Sequence, residues 1–242
     1  TNIEWAVVTA TINEQVGPII NKVYQEKPTI VAASMWLFNH EALMHLCARI
    51  KALLPQVIIA LGGPEFLGDN ETFLRNNPFV SCVFRGEGEE VFPQWLASYE
   101  STEQWAPIHG LCFVDARNKY RDNGKAIVMN FDRLTPPEES EFFNWGKPFV
   151  QLETTRGCFN TCAFCVSGGE KPVRTLSIEQ IKQRLDLIQK HGIKDVRLLD
   201  RTFNYNMHRA KALLQLFKEY APHMRFHLEI HPALLSEDLK AE

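Results

Sequence analysis

Three cysteines fall within eight residues, in the stretch Arg156-Gly157-Cys158-Phe159-Asn160-Thr161-Cys162-Ala163-Phe164-Cys165. Their spacing is Cys-x3-Cys-x2-Cys. Thiolates this close can converge on one soft metal centre. A structural zinc site ordinarily takes four ligands, often as two pairs, and no fourth Cys or paired His follows here at finger spacing. A [4Fe–4S] cluster has four irons, so three cysteine ligands leave one iron open to a small molecule. The spacing favours that cluster, with another iron–sulfur or redox centre, or zinc, as alternatives. Cys158, Cys162 and Cys165 are the candidate metal ligands.

The other three cysteines, Cys47, Cys82 and Cys112, stand singly on apolar segments. They read as small buried hydrophobes. The chain has 242 residues, 45% of them hydrophobic, enough for one large domain or two small ones with a sizeable core. A net charge of −3 gives no general attraction to nucleic acid or to an anionic membrane. No apolar run approaches the roughly 20 residues of a membrane span. The first eleven residues lack the basic and apolar regions of a signal peptide, which makes the cytoplasm the expected location.

The elements that must position the cysteines alternate between strand-like and helix-like. Trp5–Thr11, Thr29–Ser34, Val57–Leu61 and Val80–Phe84 read as strands. Val16–Gln25, His40–Leu54 and Glu89–Tyr99 read as helices. The pattern predicts a parallel α/β sheet whose ligands gather at the C-terminal strand ends. Gly110–Asp115 and Ala126–Phe131 suggest a hairpin with a long loop containing Asn123-Gly124. Leu134–Ser140 has linker composition. From Phe149 the alternation resumes with strand Phe149–Glu153, then helix Ile178–His191 capped by Ser177 and Gln180. Strand Asp195–Leu199, helix His208–Tyr220 and strand Arg225–Ile230 follow. About three strand–helix units fit, fewer than a full (β/α) barrel needs.

The cysteine motif, with Phe164 just before its third cysteine and a strand just before its first, resembles the defining motif of the radical S-adenosylmethionine (SAM) superfamily. The resemblance implies a [4Fe–4S] cluster on the triad and SAM on its open iron. Reductive cleavage of SAM to methionine and a 5′-deoxyadenosyl radical would follow, fed by an electron donor such as flavodoxin or ferredoxin. Phe164 would then pack near the adenine, or else in ordinary core. Arg156 would offset cluster charge and Gly157 permit a tight turn, or both are structural. Ser167-Gly168-Gly169-Glu170 only superficially matches the amino-binding motif of relatives, which belongs after the next strand. There this sequence has Asp200, and Glu229 stands similarly on the strand after. Each faces SAM or its ribose, or is a rim carboxylate paired with Arg197 or Arg201. Arg174 reaches a SAM carboxylate, or is a solvated arginine.

Upstream, three loop motifs stand at strand ends: Ser34-Met35-Trp36, Gly62-Gly63-Pro64-Glu65 and Gly86-Glu87-Gly88-Glu89. Together they resemble the cobalamin-binding domain of cobalamin-dependent radical SAM methyltransferases and anaerobic cyclases. The resemblance implies that Ser34, Trp36, Gly62, Gly63, Gly86 and Glu87 line a cobalamin site, with Trp36, Leu37 and Phe38 as an apolar surface for the corrin. The Asp-x-His-x-x-Gly loop of that domain is absent, since His40 and His45 fall on a helix. The domain's first strand is also absent, Trp5–Thr11 matching its second. The alternative is a degenerate domain kept for docking.

The expected architecture is therefore α/β. A Rossmann-like (flavodoxin-like) cobalamin-binding domain spans 1–99, a linker with a β-hairpin 100–148, and the N-terminal part of a truncated radical SAM (β/α) barrel 149–242. The expected function is radical SAM chemistry, cobalamin-dependent methyl transfer or cyclisation, on a small molecule or peptide. The alternative is a corrinoid or iron–sulfur binding module without turnover. Neither nucleic acid nor a membrane is expected as a partner.

Overall fold

The computed structural model describes residues 3–165, 167 and 170–240. They divide into two compact units, Thr1–Val128 and Met129–Glu242. In the first unit, α1 (Val16–Gln25) precedes β1 (Ile30–Ser34), α2 (His40–Leu53), β2 (Ile58–Gly62), α3 (Glu71–Asn76), β3 (Cys82–Phe84) and α4 (Val91–Leu96). A hairpin of β4 (Leu111–Val114) and β5 (Tyr120–Asp122) follows. The five strands form one sheet in the order β1-β2-β3-β4-β5. β1, β2 and β3 run parallel, and β4 and β5 are added antiparallel.

Ile59, Ala60 and Leu61 of β2 are all buried. A parallel strand covered on both faces must be apolar throughout, which is why this run does not alternate. Successive side chains still point to opposite faces, and this sorts two cores. Ile59, Leu61, Val83 and Cys112 pack with Cys47 and Ile50 of α2. Ala60, Cys82, Phe84, Leu111 and Phe113 pack with Trp95 and Trp105. Burial pushes the Cys47 thiol up to about 12 and, as the largest cause, the Cys112 thiol up to about 11. Burial raises Cys82 as well. All three stay protonated and act as small apolar packing groups.

Two expected strands are absent. Trp5–Thr11 pairs with no strand, and Trp5, Val7 and Ile12 are exposed. A β-rich composition expresses itself only against a neighbouring ladder, and β1 pairs only with β2. The hairpin's second arm is Tyr120–Asp122, not Ala126–Phe131. Its short turn is organised by Asp115, whose carboxylate accepts from the Arg117 and Lys119 N–H groups at 3.0 and 2.9 Å. Ala126 instead bridges Gly86, its N–H donating to the Arg85 carbonyl at 2.9 Å and its carbonyl accepting from Glu87 N–H at 3.0 Å. Residues 110–128 thus continue the first unit, and their hairpin extends its sheet.

In the second unit, β6 (Phe149–Leu152) leads into a two-residue strand, β7 (Thr155–Arg156), whose antiparallel partner is β8 (Arg174–Thr175). Then come α5 (Ile178–Lys190), β9 (Asp195–Leu198), α6 (Met207–Tyr220) and β10 (Arg225–His227). β9 lies between β10 and β6, all parallel. Val150, Leu152, Val196 and Leu198 are buried, as are Ile181, Leu185 and Ile188 of α5 and Leu213 and Phe217 of α6. Both long helices start on side-chain caps. Ser177 Oγ accepts from Gln180 N–H at 3.2 Å, and Asn206 Oδ1 from Arg209 N–H at 3.0 Å. No helix among the described residues is long and apolar enough to cross a membrane.

The segment before β6 is held by a buried ion pair. Glu138 accepts from Arg184 of α5 at 2.7 and 2.9 Å, and both side chains are almost fully buried. Breaking such a pair from one side leaves an uncompensated charge. Glu138→Ala should destabilise this unit by about 3–5 kcal/mol. The double variant Glu138→Leu/Arg184→Met should recover most of that loss. Hydrogen exchange of the α5 amides under mild urea reads both, and equal protection in wild type and Glu138→Ala would refute the expectation.

Candidate metal centre on the cysteine loop

β6, β9 and β10 run parallel, so their C-terminal ends share one edge, where the connections carry function in α/β folds. The cysteine loop leaves that edge through a closed neck. Thr155 pairs with Thr175 and Arg156 with Arg174. One step further, Cys158 N–H donates to the Glu170 carbonyl at 2.9 Å. Gly157 sits between, at φ +96°. A Cβ there would stand 2.7 Å from the Glu170 carbonyl oxygen, so the turn requires glycine on both conformational and steric grounds.

The neck is tied by Asp200 to the segment that follows β9. This carboxylate is fully buried. It accepts from Thr154 N–H at 2.7 Å, from Thr155 N–H at 3.0 Å, and from the Thr154 hydroxyl. Arg209 of α6 works on the same residues from another side. Its Nη2 donates to the Thr154 carbonyl at 3.1 Å and to the Leu176 carbonyl at 2.8 Å, one on each side of the loop. Burial lowers the Arg209 guanidinium from its ordinary range, opposed by the nearby Tyr205 and the Asp200 and Asp132 charges.

Within the loop the thiols differ. Cys158 is buried, with Sγ 3.7 Å from the buried Thr202 hydroxyl. Cys162 and Cys165 are exposed, joined by a Cys165 N–H to Cys162 carbonyl bond of 3.0 Å. Among the described residues, no three His, Cys, Asp or Glu side chains enclose a metal position. The donor set nonetheless fits a cluster. All three donors are soft sulfur on one short loop, the first fixed and the other two facing outward, where neither is packed into core.

The other expected site residues are placed as follows. Phe164 is 94% exposed, which excludes ordinary core. Asp200 pairs with neither Arg197 nor Arg201 but with the Thr154-Thr155 junction. Glu229 is exposed two residues beyond β10, its carbonyl accepting from Phe203 N–H at 2.8 Å. Arg174 is buried rather than solvated, 3.7 Å from the Glu170 carboxylate. Arg156 forms a bidentate pair with Glu153 at 3.0 and 2.7 Å. Of the Ser167–Glu170 stretch, 168 and 169 lie outside the described residues. Sequence reasoning missed Thr154, Thr202, Asn204 and Arg209. For three of them the one signal is position, Thr154 lying two residues beyond β6 and Thr202 and Asn204 four and six beyond β9.

In the first unit the expected residues also gather at the C-terminal strand ends. Ser34 and Gly62 are register partners. Gly63, at φ +107°, lies so close to Met35 that a Cβ would clash with its carbonyl oxygen and stand 2.8 Å from Ser34 Oγ. Gly86 is equally close to Ala126. Glu87 accepts from Val128 N–H at 2.6 Å. Trp36, Leu37 and Phe38 form an exposed apolar step off β1, with Leu37 83% exposed and the two rings stacked 6.0 Å apart. Asn39 pins the step, accepting from Trp36 N–H at 2.8 Å and donating to the Ser34 carbonyl at 3.1 Å. His40 starts α2 with Nδ1 3.7 Å from the Glu65 carboxylate, and His45 is an exposed residue of the same helix.

Residues 4–96 match the B12 binding domain family, and residues 152–241 match the radical SAM superfamily. The chain therefore carries a B12-binding domain followed by a radical SAM domain. It is 26% identical over 203 residues to an uncharacterised methyltransferase of Pyrococcus horikoshii, covering 81% of this chain and 44% of that protein. It is 24% identical over 189 residues to the cobalamin-dependent radical SAM methyltransferase TokK of Streptomyces tokunonensis, covering 73% and 28%. The fold of the radical SAM methyltransferase TsrM from Kitasatospora setae superposes with a TM-score of 0.69 at 16% identity, over 93% of this chain and 48% of that one. The chain thus spans less than half the length of these relatives. The expected fold class is the one found, a B12-binding α/β domain followed by strands and helices of the radical SAM fold.

The Asp200 network makes a direct prediction for the radical SAM domain. Asp200→Ala removes the acceptor for two buried N–H groups and a hydroxyl. Hydrogen bonds to a charged group contribute about 1.5–3 kcal/mol each, so a loss of at least about 3 kcal/mol is expected locally. Amides of residues 154–158 should lose hydrogen-exchange protection while those of β2 in the B12-binding domain keep theirs. Unchanged protection at Thr154 and Thr155 would show that Asp200 does not hold the neck.

Proposed function

We propose that this chain is the cofactor-handling part of a cobalamin-dependent radical SAM methyltransferase acting on a small molecule or peptide. The observation that carries the reading is the three-thiol loop, rising from a braced strand end in a chain that also has a B12-binding domain. The relatives, two methyltransferases among them, favour methyl transfer over other radical chemistry.

When bound, a [4Fe–4S] cluster would supply the electron that cleaves SAM, and cobalamin would supply methyl-transfer chemistry. The chain's own residues hold and orient. Cys158, Cys162 and Cys165 would ligate three irons and leave the fourth open. Phe164, exposed beside the third cysteine, offers a ring to the adenine of SAM. Glu229 stands exposed beyond β10, where a carboxylate can accept from a ribose hydroxyl or an ammonium. Asp200 and Arg174 are positioning residues, the first bracing the loop's entry and the second its exit. On the first unit, Gly63 and Gly86 let the chain close on Met35 and Ala126 and so shape the strand-end loops on which Ser34 and Gly62 would meet a nucleotide tail. Trp36 and Phe38 present apolar area to a corrin, and Glu87 shapes the loop by holding Val128. The electron enters from a low-potential donor of the flavodoxin or ferredoxin class.

Anaerobic reconstitution should load about four irons per chain. The variant Cys158→Ala/Cys162→Ala/Cys165→Ala should load almost none. SAM plus a strong reductant should then yield 5′-deoxyadenosine or methylated product from the loaded wild type only. Cluster content surviving in the triple variant would reject the site. A loaded protein that ignores SAM would instead favour a binding module without turnover.

The apolar step gives an independent check on the B12-binding domain. Trp36→Ser/Phe38→Ser removes two exposed rings, so the fold should be retained. Cobalamin affinity, followed by visible absorbance on titration with aquacobalamin, should fall about tenfold, equivalent to about 1.4 kcal/mol. Unaltered affinity would place the corrin elsewhere.

A further inference from the structure

Beside the anchored cysteine stands one buried hydroxyl, that of Thr202. Thr202 and Cys158 are both buried, and their Oγ1 and Sγ atoms are 3.7 Å apart, within hydrogen-bond range for sulfur. Neither of the other two thiols is buried.

The position of Thr202 is fixed from several directions. Two residues before it, Asp200 is locked onto Thr154 and Thr155. One residue after it, Phe203 N–H donates to the Glu229 carbonyl at 2.8 Å. Two residues after it, Asn204 makes a reciprocal pair with the backbone of His231, donating to its carbonyl at 3.0 Å and accepting from its N–H at 2.8 Å. The segment 200–204 is thereby bolted to the strand ends on either side of β9. Thr202 has little freedom except rotation of its hydroxyl hydrogen.

That hydrogen now points at the Arg201 carbonyl, 2.8 Å away. A sulfur bound to iron carries no proton and only accepts. Facing such a sulfur, the Thr202 hydroxyl needs only to rotate for its O–H to donate to Cys158 Sγ. A hydrogen-bond donor aimed at a cluster sulfur favours the state with more negative charge, the reduced one, and so raises the reduction potential. Burial strengthens the effect, because little solvent screens the O–H dipole.

We propose that Thr202 sets the reduction potential of the cluster through an O–H···S bond to Cys158. It is a positioning and tuning residue, not a ligand. The proposal rests on the reading that the triad carries a [4Fe–4S] cluster.

The test uses wild type, Thr202→Val and Thr202→Ser, each reconstituted anaerobically without SAM and titrated electrochemically with the reduced cluster followed by electron paramagnetic resonance. Valine keeps the shape and removes the hydroxyl, while serine keeps the hydroxyl. The expected result is wild-type iron content in all three, a midpoint shifted to more negative potential in Thr202→Val, and recovery of most of the shift in Thr202→Ser. A fully loaded Thr202→Val protein with the wild-type midpoint would overturn the proposal and leave the proposed function standing. A wild-type protein that takes up no iron would overturn both. Resonance Raman of the wild type reads the bond without relying on any variant. A cysteine Fe–S stretch that shifts in D2O is expected, and its absence would overturn the O–H···S bond.

Discussion

The carboxylate of Asp200 stands where β6 gives way to the cysteine loop, buried and accepting from Thr154 N–H, the Thr154 hydroxyl and Thr155 N–H. Everything proposed for the loop depends on that contact. A charged oxygen pair removed from water is tolerated only if donors satisfy it. Here the donors are the two residues that must be fixed for β7 to meet β8. The requirement runs both ways. Thr154 and Thr155 have buried N–H groups that need an acceptor as the chain turns out of the sheet, and Asp200, two residues beyond β9, supplies it. Arg209 completes the arrangement at the Thr154 and Leu176 carbonyls. The loop is therefore held at its base by charged groups from two further segments.

Both units solve the same problem in the same way. A parallel sheet delivers its strands' C-terminal ends to one edge, and polar or small residues collect where the apolar runs stop. In the first unit the runs stop at Ser34, Gly62-Gly63 and Gly86, with glycine wherever the backbone closes on its neighbour. In the second they stop at Thr154, Asp200 and Glu229, with carboxylates and hydroxyls. The difference follows the expected cargo. Under the proposed function a bulky corrin would need apolar area, and the exposed Trp36–Phe38 step would offer it. A charged cluster and a charged sulfonium need fixed dipoles and a rigid loop.

Much of this was legible in the sequence, for reasons particular to each element. β2 could be read because a buried parallel strand is locally apolar, and β1 and β6 because their runs are largely apolar even where only partly covered. The radical SAM domain could be expected from the triad because cysteine spacing on a single loop is itself a local property. Ser177 and Gln180 announced α5 through a local cap. What escaped was non-local. Trp5–Thr11 has strand composition, yet composition cannot supply a partner edge. Ala126–Phe131 looked like the hairpin's second arm, but the close approach at Gly86 captured Ala126. Asp200 stands out as a residue but not in its use, since its partners lie 45 and 46 residues earlier in the chain. A lone arginine such as Arg174 is ordinarily solvated, and its burial, in the β7–β8 ladder and beside Glu170, is set by contacts its local sequence does not show.

The contrast among the three thiols follows from the same anchoring. Fixing Cys158 through Gly157, the Glu170 carbonyl and the Asp200 brace removes the freedom of the loop at one end. Ordering a residue costs about 1–2 kcal/mol of backbone entropy, so a ligand held before the metal arrives lowers what assembly must overcome. Fixing all three would demand core contacts on every side and leave no path for iron, SAM or an electron. The structure instead buries one sulfur, with a hydroxyl in reach, and leaves Cys162, Phe164 and Cys165 facing outward. The buried end gives geometry and an electrostatic environment, and the exposed end gives access. In such a design the environment of the first cysteine, not of the second or third, is where the protein can adjust the chemistry of the centre without closing it.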